Sequence, residues 1–202
     1  LTLCFTPPSR GRRPCHTSPP IELAEFSQFA SEVVERYLVE PTTVFGSHGL
    51  VTTFVFIRHG ETEAVGKTLA GRNPGLHLTA RGIGQARTLA ERLNFRRLDR
   101  VISSPMERTR QTAALITEIH GTDMEIDEAF LEVDFGDWTG RGFDEMETDT
   151  LWRRYHEFRG GIRIPGGEMA LEIQTRVVAA TERLRNETPE GVIALISHGD
   201  PI

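Results

Sequence analysis

Five consecutive apolar residues, Val192-Ile193-Ala194-Leu195-Ile196, stand directly before Ser197-His198-Gly199. Successive side chains of a strand point to opposite faces, so a strand apolar at every position must be covered on both. Phe54 to Ile57 is a second short apolar run, following Thr52 and Thr53 and closed by Gly60; it too reads as a buried parallel strand. Between these runs the apolar spacing changes to that of helices. Thr79 is placed to cap a helix with Ile83, Ala86, Leu89, Ala90 and Leu93 on one face, Gly82 and Gly84 weakening its first turn. A strand around Val101 and Ile102, a Ser103-Ser104-Pro105 turn and a helix with Ala113, Ile116 and Ile119 inward come next. A further helix carries Ile173, Val177, Ala180, Thr181 and Leu184. This order predicts an α/β fold, a three-layer α/β/α sandwich around a mostly parallel central sheet.

The N-terminal part has another character. Residues 1–20 hold Pro7, Pro8, Pro14, Pro19 and Pro20 with Arg10, Arg12 and Arg13, no acidic residue and little apolar content, which predicts disorder. Leu23, Phe26, Ala30, Val33 and Tyr37 step by three and four and predict an amphipathic helix over 21–38, followed by a linker at Gly46, Ser47 and Gly49. The domain is expected to span 51–202. Val51 can be read as an initiator from an alternative start codon, which would make 1–50 a non-native extension. The stop at Ile202, directly after a strand and a turn, predicts that the domain lacks its C-terminal end, a covering helix.

The 202 residues suffice for one core. Lys and Arg number 23 against 29 Asp and Glu, a formal charge of -6, so the chain has no global basic field of the kind that drives nucleic-acid binding. No apolar run approaches the roughly 18 residues of a membrane helix, and no signal segment opens the chain. A protein without nucleic-acid or membrane partners is expected, of unspecified oligomeric state. Its two cysteines, Cys4 and Cys15, lie within the first twenty residues and point to a reducing, cytoplasmic setting.

In open α/β sheets ligands gather at the carboxyl ends of the strands. The first strand ends in Arg58-His59-Gly60, the second in Ser104-Pro105 with Arg108 in the next helical turn, and the last in Ser197-His198-Gly199. Each glycine is expected to permit a tight turn beside its histidine. Either histidine alone reads equally well as a hydrogen-bonded edge residue. Two histidines together with two arginines instead suit a doubly charged oxyanion such as phosphate. The arginines would repel a metal cation and no ligand spacing is present, so neither metal nor cofactor is expected.

Arg58-His59-Gly60-Glu61-Thr62 after an apolar strand resembles the signature of the histidine phosphatase superfamily, the phosphoglycerate mutase-like proteins. Further landmarks follow in the family's order: Leu78-Thr79 with Gly82 and Gln85-Ala86, Ser104 to Arg108 with Thr112-Ala113, Leu131-Glu132 with Phe135-Gly136, Trp138 and Gly140, Pro165 to Glu168, and Ser197-His198-Gly199. The resemblance implies that His59 is the nucleophile, forming a phosphohistidine while its other ring nitrogen is held by a backbone carbonyl. It implies that Arg58, Arg108 and His198, with Thr62 and Gly199 beside them, bind the phosphate, and that Glu132 is the general acid and base. Glu61 and Glu168 are assigned to helix starts or ion pairs, and Trp138, Trp152, Tyr155 and Phe158 to core or cleft wall. Val65 departs from the family, which often has a phosphate-contacting Asn there.

The resemblance leaves phosphatase and mutase open. Mutases carry a Glu-Arg-His-Tyr-Gly stretch and a long shielding insertion; here Glu132 is followed by Val133-Asp134-Phe135-Gly136-Asp137-Trp138, and only a short helical segment separates Gly140 from Pro165. A less enclosed site favours water as acceptor, so the expectation is a metal-independent acid phosphatase-type enzyme acting on a phosphorylated small molecule. Phosphoglycerate mutase-type transfer and a non-catalytic phosphate-binding relic are the alternatives. The segment carrying Trp152, Arg153, Arg154, Tyr155 and Arg159 is expected to form a lid that reads the leaving group, or a solvated charged helix. Asn186-Glu187-Thr188 is a chance glycosylation tripeptide.

Overall fold

The computed structural model describes residues 51–93 and 97–202. The expectations for 1–20, 21–38 and the 46–49 linker lie outside the described residues. Four strands form one sheet in the order β1-β4-β2-β3: β1 (Thr53–Arg58), β2 (Arg100–Ser103), β3 (Met124–Ile126) and β4 (Val192–Ser197). All neighbours pair in parallel, as the continuous apolar run of β4 requires. Alternation along β4 divides the core. Ile193 and Leu195 join Ile102, Phe130, Trp138, Ile173, Val177 and Leu184 on one face. Ala194 and Ile196 join Ile57, Ala90, Val101, Ala113 and Ile116 on the other.

Helices α1 (Ala80–Leu93) and α2 (Glu107–His120) cover the second face, and α5 (Ala170–Glu187) covers the first. Thr79 does cap α1, its Oγ1 accepting from the Gly82 amide at 3.0 Å. Two short helices, α3 (Phe143–Met146) and α4 (Thr150–Glu157), lie between Gly140 and Pro165. None of the described helices is long and apolar enough to cross a membrane.

Three readings are corrected. Strand β3 escaped sequence reasoning because only three residues pair and none is buried. Strand β1 is not buried on both faces: within the described sheet it pairs only with β4, and Phe56 is 45% exposed. On α1 the inner stripe contains Gly82, Ala86 and Ala90, while Ile83 is 44% exposed. Gly82 holds that position because a Cβ there would meet the Glu61 carbonyl oxygen at 2.2 Å, and a Cβ on Gly60 would meet the Gly82 oxygen at 2.4 Å. Gly60 is therefore required by close backbone approach, since neither it nor Gly199 has positive φ.

Candidate active site

Parallel pairing brings the strand ends to one edge. The His59 amide donates to the Ser197 carbonyl at 3.0 Å, and the Ser104 amide to the Ile196 carbonyl at 3.0 Å. Arg58-His59, Ser104 and Ser197-His198 thus leave the sheet side by side. Behind them the Gly60 amide donates to Thr112 Oγ1 at 3.1 Å, tying the first turn to α2.

A cleft of about 280 Å³ opens at this edge. Among the residues that line it are Arg58, His59, Thr62, Arg108, Glu132 and Gly199. His198 does not line it; the residue is fully buried beneath, its ring 5.2 Å from that of His59 and edge-on. Arg153, Arg154 and Arg159 do not line it either, so the lid expected of that segment is not part of this cleft. Trp138 and Tyr155 are core residues, and Phe158 is 66% exposed. Val65, where the family often has Asn, contributes an apolar wall.

The tautomer of His59 follows from its partners. Nδ1 donates to the Gly60 carbonyl at 2.7 Å, and Nε2 accepts from Arg108 Nε at 3.2 Å. The lone pair on Nε2 therefore faces the guanidinium rather than bulk water. Burial lowers the His59 pKa to about 4, the Gly60 hydrogen bond opposing this and the Arg108 and Arg58 charges assisting. The ring is neutral at neutral pH. Burial likewise holds His198 far below the ordinary imidazole range, reinforced by Arg108 and by His59. Its Nε2 lies 2.9 Å from Ser104 Oγ; with the hydroxyl donating there, Nδ1 carries the proton.

Arg108 sits at the start of α2, is 1% exposed, and donates from Nη2 to the Gly71 carbonyl at 2.7 Å. Burial lowers its pKa, with Glu132 and Glu107 opposing. Four buried side-chain nitrogens among the described residues have no partner, and two of them, Arg108 Nη1 and His198 Nδ1, belong to this site. Buried donors left unpaired are costly, so an anion seated against His59 would supply acceptors that the protein does not.

Glu132 is largely buried, its side chain 13% exposed, with Oε2 3.9 Å from His198 Nδ1. Burial raises its pKa to about 7; the Val133 amide, donating to Oε1 at 3.0 Å, opposes this, the Asp200 charge adds to it, and Arg108 and Arg58 oppose it. Its backbone is clamped. The Glu132 carbonyl accepts from Arg72 Nε at 2.9 Å and Arg176 Nη2 at 3.2 Å, and both arginines pair with Glu168, which also accepts from the Asp134 amide. Burial pushes the Glu168 carboxyl up, but Arg176, the Asp134 amide and Arg72 together hold it below its usual value. Glu61 pairs with Arg81 at 3.1 Å and accepts from Thr79 Oγ1 at 3.2 Å. Both glutamates thus make structural ion pairs.

Sequence reasoning did not single out Arg72, Arg176 or Asp200. Asp200 follows Gly199 directly and lines the cleft, so adjacency was its signal. Arg72 and Arg176 meet only through the fold, with no local pattern to mark them. Among the described residues no three His, Cys, Asp or Glu side chains group as metal ligands.

A parallel α/β sheet thus presents two neutral histidines, two arginines and a largely buried carboxyl at its carboxyl edge, an arrangement suited to holding a phosphoryl group. The chain belongs to the histidine phosphatase superfamily (branch 1), whose model matches residues 54–202. It is 35% identical over 147 residues to the probable phosphoglycerate mutase GpmB of Salmonella choleraesuis, covering 71% of this chain and 67% of that one. Phosphoserine phosphatase 1 of Hydrogenobacter thermophilus is 30% identical over 153 residues, 73% and 71% of the two chains. Among solved structures, the α-ribazole phosphatase of Shigella flexneri superposes with a TM-score of 0.64 at 32% identity, covering 72% of this chain and 73% of its own.

Proposed function

We propose that this protein is a metal-independent phosphatase that hydrolyses a small-molecule phosphomonoester in the cytoplasm through a phosphohistidine on His59. The observation that carries the reading is the pairing of a locked, neutral nucleophile with a buried acid across one cleft. His59 Nε2 attacks phosphorus in line as the bond to the leaving oxygen breaks, while Arg58, Arg108 and the Nδ1 proton of His198 bind the phosphoryl oxygens. Glu132, protonated up to about pH 7, gives its proton to the leaving alkoxide. As a carboxylate it then takes a proton from the water that attacks the phosphohistidine, returning His59 and releasing phosphate. Thr62 and Gly199, both on the cleft wall, complete the phosphate pocket.

The phosphatase relatives support water as acceptor, as does the shortness of the span between Gly140 and Pro165, which holds α3, α4 and one 3-10 turn at Arg159–Gly161. The likeness to a probable phosphoglycerate mutase keeps transfer to phosphoglycerate as the second reading. The test is hydrolysis of p-nitrophenyl phosphate in EDTA at pH 5 to 7, with His59→Ala as control and a thermal melt on each. Turnover in EDTA, lost by at least about a thousandfold in His59→Ala at unchanged melting temperature, is the expected result. A folded chain that binds phosphate without turnover would make the protein a binding relic, and faster transfer to phosphoglycerate than to water would make it a mutase.

A further inference from the structure

Glu132 must touch the leaving oxygen, so the rest of the leaving group lies against whatever surrounds that carboxyl. Asp200 is close enough for its charge to raise the Glu132 pKa, and it lines the cleft. Phe135, Phe143, Val65, Leu69, Ala64 and Ala70 line it as well. Val65 is 47% exposed, an apolar side chain on the cleft wall turned to solvent. The lining cations among the described residues are Arg58 and Arg108, both committed to the phosphate in the reading above. Of the other nearby cations, Arg72 is held by Glu168 and the Glu132 carbonyl, and Arg159 by Asp200 itself at 2.6 Å.

We infer that the cleft selects phosphomonoesters with an uncharged, apolar leaving group and rejects leaving groups that carry a carboxylate. The inference rests on the phosphatase reading and narrows its substrate class. An apolar portion is removed from water against Val65, Leu69 and the two phenylalanines. A carboxylate in the same place would face the Asp200–Arg159 pair and give up its hydration with no unpaired cation among the described lining residues to replace it.

Three alkyl esters of similar intrinsic reactivity test this: 2-phenylethyl phosphate, glycerol 3-phosphate and 3-phosphoglycerate. The last two differ chiefly in a hydroxymethyl against a carboxylate. The expected order of kcat/KM is 2-phenylethyl phosphate over glycerol 3-phosphate over 3-phosphoglycerate, each step at least about tenfold. Asp200→Asn should narrow the gap between the last two by about tenfold, read as a ratio so that any general effect through Glu132 cancels. Val65→Ser should narrow the gap between the first two by about threefold, and being half-exposed it should leave the melting temperature unchanged. Hydrolysis of 3-phosphoglycerate as fast as glycerol 3-phosphate would overturn the inference and leave the phosphatase standing, as would ratios insensitive to both variants. If a folded chain hydrolyses none of the esters, the phosphatase reading falls and takes the inference with it.

Discussion

His59 loses its proton above about pH 4 and Glu132 keeps its proton up to about pH 7, so both are in the form that the proposed first step requires only between those values. The profile of kcat/KM against pH should therefore be a bell over mildly acidic pH, its acid limb belonging to His59 and its alkaline limb to Glu132. Glu132→Gln cannot donate that proton; steady-state kinetics should show kcat lower by about 10²- to 10⁴-fold for alkyl esters and the alkaline limb gone. His59 was legible in the sequence because it stands beside a turn glycine at a strand end, and Glu132 only through the resemblance of Leu131-Glu132 to a family landmark. Their states were not. The neutrality of His59 comes from burial under Arg108, and the proton on Glu132 from desolvation beside Asp200.

The turn after β1 and the start of α1 are held backbone to backbone. Gly60 and Gly82 have no room for a Cβ, whereas Gly84 has nothing within 4 Å of one. Two alanine substitutions only two residues apart in α1 should therefore act oppositely. Gly84→Ala should stabilise by about 0.5–1 kcal/mol, through helix propensity. Gly82→Ala should destabilise by about 1–3 kcal/mol, because the obstacle is a carbonyl that no rotamer relieves. Chemical denaturation of both variants, with activity measured beside it, checks this; equal effects would mean that the approach is not rigid. The period of α1 was legible in its apolar spacing, and the cap was legible in Thr79. The use of Gly82 as a contact surface was not, since glycine in a helical pattern signals only a propensity loss until its neighbour is known. Strand β3 was illegible for a related reason: three residues of exposed pattern carry no alternation to detect.

Across the whole molecule the buried site makes stability depend on pH. His59 and His198 have folded pKa values below the ordinary 6.5, and Glu132 has one above the ordinary 4.5. Between about pH 4.5 and 6.5 an unfolded chain would protonate both histidines, while the folded chain holds only the proton on Glu132. The unfolded state thus binds more protons, and these three groups make stability fall as pH falls, by about 1.4 kcal/mol per pH unit for the net proton. Melting temperatures at pH 6.5 and 5 should show the drop, and a His198→Gln variant should flatten it. A melting temperature rising toward pH 5 would place the histidines in solvent. By itself the sequence determined the α/β class, the parallel character of β4 and the residues gathered at the strand ends, because apolar period and turn chemistry are local properties written in neighbouring residues. Only the tertiary structure decided which imidazole lines the cleft and which lies beneath it. It also decided that Arg72, Arg176 and Glu168 clamp the acid's backbone, and that the arginines of α4 stay outside the site. Burial, charge proximity and backbone clearance arise between segments far apart in the chain, and they exist only once the segments have packed.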